Sequence, residues 1–267
     1  MKQIRESVIA GMWYPGQKNV LKNVLEGLLD RAPDNRIENI RALISPHAGY
    51  AYSGGVAAAG YKQLKGKDYK KIIILAPSHQ HPFNGISAGD YTHYRTPLGD
   101  VPVSTETRSL IKESSIFSNT PQAHFKEHSL EIQLPFLQVV LDDFSIIPLV
   151  FGLIGLDEAR KVADLITGCM DDKTLLVVST DLSHYHGYDE AIKLDKDCIT
   201  SILLLDSENT FKRELCGKYP VLAALESAKK MNWTPKLLEY KNSGDVTGDK
   251  TQGVVGYASI AFTGEIK

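Results

Sequence analysis

The chain has 267 residues, of which 43% are hydrophobic and 23% charged, so it can bury a full core without disulfides or a structural metal. A net charge of −2 and a pI of about 6.4 leave no basic field for nucleic acid. Cys169, Cys198 and Cys216 are odd in number, far apart and without a CxxC pair, which excludes a zinc ribbon or disulfide frame and points to a reducing cytoplasm.

No apolar run, in the N-terminal MKQIRESVIAGMWYPGQ or beyond it, is long enough for a signal peptide or a bilayer span, so no membrane partner is expected. The first predicted element is a helix over 18–31, with Val20, Leu21, Val24, Leu25 and Leu28 at helical spacing and Pro33 ending the pattern. Four short runs dense in branched residues follow, at 41–45, 71–76, 144–150 and 174–179. Continuous apolar runs of this kind suit strands buried on both faces. Helices are predicted between them over 53–64, 104–113, 127–142 (bent at Pro135), 157–170, 189–205 and 220–231. Two further strands are expected at 236–240 and 254–262. The alternation predicts an α/β fold, a three-layer α/β/α sandwich around a mixed, largely parallel sheet, with residues 1–267 forming one domain.

The chemistry concentrates just past the strands. The first runs into Ser45-Pro46-His47-Ala48-Gly49-Tyr50, the second into Pro77-Ser78-His79-Gln80-His81, and the run at 174–179 into Thr180-Asp181-Leu182-Ser183-His184-Tyr185-His186. In open α/β sheets the loops at the carboxyl ends of parallel strands share one crevice. If these three strands are parallel neighbours, His47, His79 and the Asp181/His184 pair meet there. Imidazoles so close suppress one another's protonation, which frees their lone pairs for a divalent cation such as iron, zinc or copper. A single histidine at a strand end is commonly a cap or a core residue; three at the same structural position are harder to explain that way. His81 and His186 read either as orienting groups or as solvated loop residues. His128, at the start of the 127–142 helix, either caps it or faces the crevice, and His93 and His124 read as ordinary. Cys216 is either a thiol near the crevice or a small buried hydrophobe. No GxSxG elbow, P-loop or dinucleotide fingerprint is present.

The segments AGMWYPG, ISPHAGYAYSG, APSHQH, TPLGDVPV, EHSLEIQLPFLQ, STDLSHY, LCGKYP and VVGYASIAF, in order along nearly the whole chain, closely resemble the Memo family, named for a mediator of ErbB-driven cell motility. The resemblance implies a fold similar to class III extradiol dioxygenases, in which two histidines and a carboxylate hold Fe(II) and a further histidine moves protons. On those motifs His47 and His79 are the imidazole ligands, His184 takes the acid–base place beside Asp181, and Tyr50 and Tyr185 supply hydrogen bonds. Some members carry a cysteine in the loop after the penultimate strand. Here that loop, 242–249, has none, and Asp245 is the nearest carboxylate. The resemblance thus implies a metal-dependent oxidoreductase acting on a small molecule. The competing expectations are a non-catalytic module binding an anionic or phosphorylated peptide in the same crevice, and a metallohydrolase.

Overall fold

The computed structural model describes residues 2–265. In chain order the strands are β1 (Ile4–Arg5), β2 (Ile40–Ser45), β3 (Lys71–Pro77), β4 (Ile86–Ser87), β5 (His93–Thr96) and β6 (Gly99–Pro102). They continue with β7 (Phe117–Ser118), β8 (Ser145–Phe151), β9 (Thr174–Ser179), β10 (His184–His186), β11 (Thr234–Asn242) and β12 (Val254–Thr263). The helices are α1 (Lys18–Arg31), α2 (Tyr50–Tyr61), α3 (Thr107–Glu113), α4 (Pro121–Phe125) and α5 (Leu134–Val140). After them come α6 (Leu156–Gly168), α7 (Tyr188–Leu203), α8 (Ser207–Phe211), α9 (Lys218–Met231) and α10 (Ser243–Thr247).

Nine strands form one mixed sheet in the order β10-β12-β2-β9-β3-β8-β4-β7, with β11 also paired to β12; β1, β5 and β6 form a small second sheet. The central strands β2, β9, β3 and β8 are parallel, and β12 closes against β2 antiparallel. Alternate residues of each central strand serve opposite layers. Ile72, Ile74 and Ala76 pack with α1, α2 and α5, whereas Ile73 and Leu75 pack with α6, α7 and α9. The continuous apolar runs seen in the sequence therefore feed two cores, one on each face, and the expected three layers are present. No helix among the described residues is long and apolar enough to cross a membrane.

The stretch expected as a helix over 127–142 is different. Residues Glu131–Gln133 form a 3-10 turn, and the α-helix begins only at Leu134. Pro135 lies in its first turn, where a missing N–H costs nothing, so the proline opens the helix instead of bending it. The residues before it are occupied elsewhere. Buried Glu131 accepts hydrogen bonds from Ser7 Oγ and Tyr14 Oη at 2.6 Å and from the amides of Val8 and Ile9 at 3.0 and 3.3 Å, and it pairs with the Arg5 guanidinium. This carboxylate staples the N-terminal segment to the turn beside His128. The Tyr50 amide then donates to Trp13 O at 2.9 Å, which fixes the indole-bearing residue next to the loop that follows β2.

Arg5 and Glu131 are both essentially inaccessible, at 2% and 0% side-chain exposure, so removing one strands the other. Glu131→Ala is expected to lower unfolding stability by about 3–5 kcal/mol in urea titrations; a loss well below 1 kcal/mol would show that the network is dispensable.

Candidate metal centre

Strand β9 lies between β2 and β3 and parallel to both, so the loops after all three strands open at one edge of the sheet. This brings His47 and His79 together edge-on with ring centroids 5.1 Å apart. His128 joins them, stacked on His79 at 4.6 Å and set edge-on to His47 at 5.4 Å, with Trp13 packed against it at 4.3 Å.

The inner nitrogen of each of the first two rings is tied. Ser179 Oγ donates to Ser129 O at 2.7 Å, so its lone pairs accept from His47 Nδ1–H at 2.9 Å and from Gln133 Nε2 at 2.9 Å. That assigns the proton of His47 to Nδ1 and turns the Nε2 lone pair outward. Glu127 receives His79 Nδ1 at 2.9 Å, the His79 amide at 2.6 Å and the Ser129 amide at 3.0 Å, which leaves His79 Nε2 as the free donor atom. A carboxylate or hydroxyl behind each imidazole is the usual support of a metal-bound histidine, fixing its tautomer and its aim.

The third donor comes from the loop before α9. Cys216 Sγ lies 3.0 Å from His47 Nε2 and accepts the Asp181 amide at 3.1 Å. His47, His79 and Cys216 each offer an atom within 4.8 Å of the others. The loop can come this close because Gly217 has no side chain: a Cβ there would meet Ser179 O at 2.4 Å. Asp245, expected as the third ligand, is not brought to the site. It sits at the start of α10, where Asn242 and Asp245 form a reciprocal cap, and its other oxygen accepts Tyr188 Oη at 2.6 Å. The cysteine close enough to serve as a third donor therefore comes from a different loop from the one the resemblance pointed to. A second overlapping group, His79, Glu127 and His128, has the same compactness. In it, Glu127 is already committed to three donors.

Burial, and then the neighbouring imidazoles, hold His47 well below the usual histidine range, so it is neutral and able to donate its lone pair. Burial likewise brings His128 down to about 4 and lowers His184. Glu127 is pushed up by burial, but the His79 hydrogen bond and the adjacent imidazoles outweigh this and bring it to about 2. Burial raises the Cys216 thiol far above its usual value, and the Asp181 charge adds to that. Asp181 is raised by burial to about 7 despite accepting the His47 amide at 2.7 Å; its Oδ2 lies 3.9 Å from His47 Nε2.

A cavity of about 510 Å³ opens over His47 and His79, walled also by Trp13, Tyr52, His128, Asp181, His184, Tyr185 and Tyr257. Its size is that of a small-molecule site. Among the described residues, no lysine or arginine lines it. Of the remaining expected residues, Tyr50 is buried outside this cavity and donates to Ile132 O at 2.6 Å. His81 lies against Phe83, and His186 is held by Glu214 at 2.8 Å; neither lines the cavity. His124, read as ordinary from sequence, is fully buried and bonded to Tyr94 Oη at 2.6 Å. Glu127, Ser179, Gln133 and Trp13 were not singled out by sequence.

The family profile described as Memo-like protein matches residues 5–261. The chain belongs to the Memo family. It is 33% identical to a MEMO1 family protein of Methanopyrus kandleri, the match covering 97% of this chain and 98% of that one. With a MEMO1 family protein of Nitrosopumilus maritimus it shares 35% identity over 97% and 99% of the two chains. Among solved structures, an uncharacterized protein from Escherichia coli K12 matches with a TM-score of 0.55 and 12% identity, over 83% of this Memo-family chain and 99% of that one. At that identity the likeness is one of fold alone.

A histidine whose pKa falls on folding contributes stability that is present above its unfolded value of 6.5 and lost as pH drops toward its folded value, about 4 for His128. In urea titrations across pH 4–7, His128→Gln is expected to flatten this acid limb, by an amount on the order of 3 kcal/mol at its lower end. An unchanged slope would mean that His128 is protonated in the folded protein.

Proposed function

We propose that this Memo-family protein is a metal-dependent oxidoreductase whose ion, Fe(II) in the first instance with copper or zinc as competitors, is held by His47, His79 and Cys216. The observation that carries this is the convergence of two outward-facing imidazole nitrogens and one thiol within 4.8 Å, each imidazole backed by a fixed acceptor. Two imidazoles and a thiolate suit borderline and soft transition ions and disfavour magnesium or calcium. Iron or copper, when bound, would supply a redox couple and open positions for a ligand, and zinc only the open positions.

The chain's own groups do the rest. Asp181, titrating at about 7, holds or releases a proton at Oδ2 near neutral pH. His184, neutral at the cavity wall, offers a second acceptor for a substrate proton. Trp13, Tyr52, Tyr185 and Tyr257 give flat walls that suit a planar oxidisable molecule such as an aromatic diol. An anionic peptide would meet the Asp181 carboxyl group and, among the described residues, no lysine or arginine in this cavity, which counts against a phosphate-binding module.

Protein purified without chelators is expected to carry one transition-metal ion per chain by elemental analysis, with the ion lost in His47→Ala and His79→Ala. Loading at pH 8 is expected to release one proton per ion, from the protonated Cys216 thiol, and none in Cys216→Ser; calorimetry in buffers of different ionisation enthalpy reads this. Glu127→Gln is expected to weaken the ion by roughly 10–100-fold. Oxygen uptake by the Fe(II)-loaded protein across a panel of aromatic diols tests the activity. Absence of metal binding under all of these conditions would remove the proposal.

A further inference from the structure

The strand at the cavity mouth, β10, is three residues long, and its central residue is unusual. Tyr185 has φ of +63°, a left-handed backbone that an aromatic residue rarely adopts, and is 79% exposed. Its pairing with β12 is interrupted by a register shift between His184 and His186. Gly253 runs directly behind it, where a Cβ would meet Tyr185 O at 2.5 Å. A conformation of this kind persists only where its surroundings over-determine it.

Two carboxylates from separate elements do so. Asp195 of α7, fully buried, accepts the Ser183 amide at 2.9 Å. Glu214 accepts the next amide, that of His184, at 2.9 Å through Oε1 and takes His186 Nε2 at 2.8 Å through Oε2. One side chain thus grips the residues on both sides of Tyr185. Glu214 stands two residues before Cys216 in the same loop, whose amide in turn donates to Asp181 O at 3.3 Å. The sequence motifs around His184 and Cys216 give no sign of this connection, and Glu214 does not line the cavity.

We infer that Glu214 is a positioning residue: its bidentate grip ties the mouth strand bearing His184 and Tyr185 to the loop bearing Cys216, so that the mouth and the thiol keep one fixed relation. Asp195 anchors the strand from the helix side, and Glu214 is the link between the two halves of the site. The consequence for the metal rests on Cys216 being a ligand; the consequence for the thiol's accessibility does not.

The test uses Glu214→Ala and Glu214→Gln in the full chain. Glutamine retains the link, its carbonyl accepting the His184 amide and its NH2 donating to His186 Nε2 once that imidazole carries its proton on Nδ1, toward Glu190. In metal-free protein, alkylation by iodoacetamide followed by mass spectrometry should find Cys216 modified roughly tenfold faster in the alanine variant and near the wild-type rate in the glutamine variant. Cys169, half-buried elsewhere, serves as the internal control and should not change. With Co(II) as the probe, the thiolate-to-cobalt absorption band should shift and affinity fall about tenfold in Glu214→Ala, with recovery in Glu214→Gln. Equal Cys216 alkylation in wild type and Glu214→Ala would overturn the clasp, as would parallel acceleration of Cys169, which would signal general destabilisation. A wild-type protein that gives no cobalt band would instead overturn the metal assignment, and the alkylation result would still decide the role of Glu214.

Discussion

The centre depends on the inner nitrogens of two histidines being spoken for. Ser179 Oγ and the Glu127 carboxylate each hold an imidazole Nδ1, at 2.9 Å in both cases, so the two outer nitrogens are the ones left for another partner. Were either acceptor absent, the ring could flip its tautomer and present a proton where a lone pair is needed. Both acceptors are themselves over-committed. Ser179 has spent its own proton on Ser129 O, and Glu127 takes two backbone amides besides the ring. That redundancy makes the aim of the rings a property of the fold and not of one hydrogen bond.

The same packing creates a tension that a bound cation would relieve. His47 Nε2 lies 3.0 Å from Cys216 Sγ and 3.9 Å from Asp181 Oδ2 in a setting where burial makes a charge on any of the three costly. The protein meets this by keeping the imidazole neutral, the thiol protonated and the carboxyl close to neutrality. A positive ion among the three would favour the thiolate and the carboxylate and would leave the imidazole neutral. The groups are thus held near neutrality by burial, an arrangement that the proposed ion would convert by displacing protons.

The parts of this site that ride on regular structure could be read from the chain; the parts set by tertiary contact could not. His47, His79 and Asp181 follow buried parallel strands, and the rule that such strand ends share a crevice places them together without any side-chain detail. Cys216 follows no strand. Its loop reaches the end of β9 because Gly217 allows a backbone approach that no sequence period reports. Asp245 illustrates the converse. Asn242 and Asp245 are spaced as a helix cap, and that local signal was the better guide to its role than its position along a family pattern. Pro135 carried a similar hint, since a proline two residues into a helix is a starting signal, yet the long amphipathic run around it suggested a bend.

The three donors also differ in how firmly the fold holds them. His47 and His79 sit immediately after β2 and β3, whose residues are buried on both faces between two cores, so their separation is fixed by close-packed structure. The thiol stands on a loop and meets the sheet through a glycine contact and hydrogen bonds to the Asp181 backbone. Metal ions of different radius need different donor separations, and a site with two rigid ligands can adjust only through the third. Under the proposed metal binding, selectivity would lie less in the histidines, which suit several transition ions, than in the stiffness of the segment leading to Cys216.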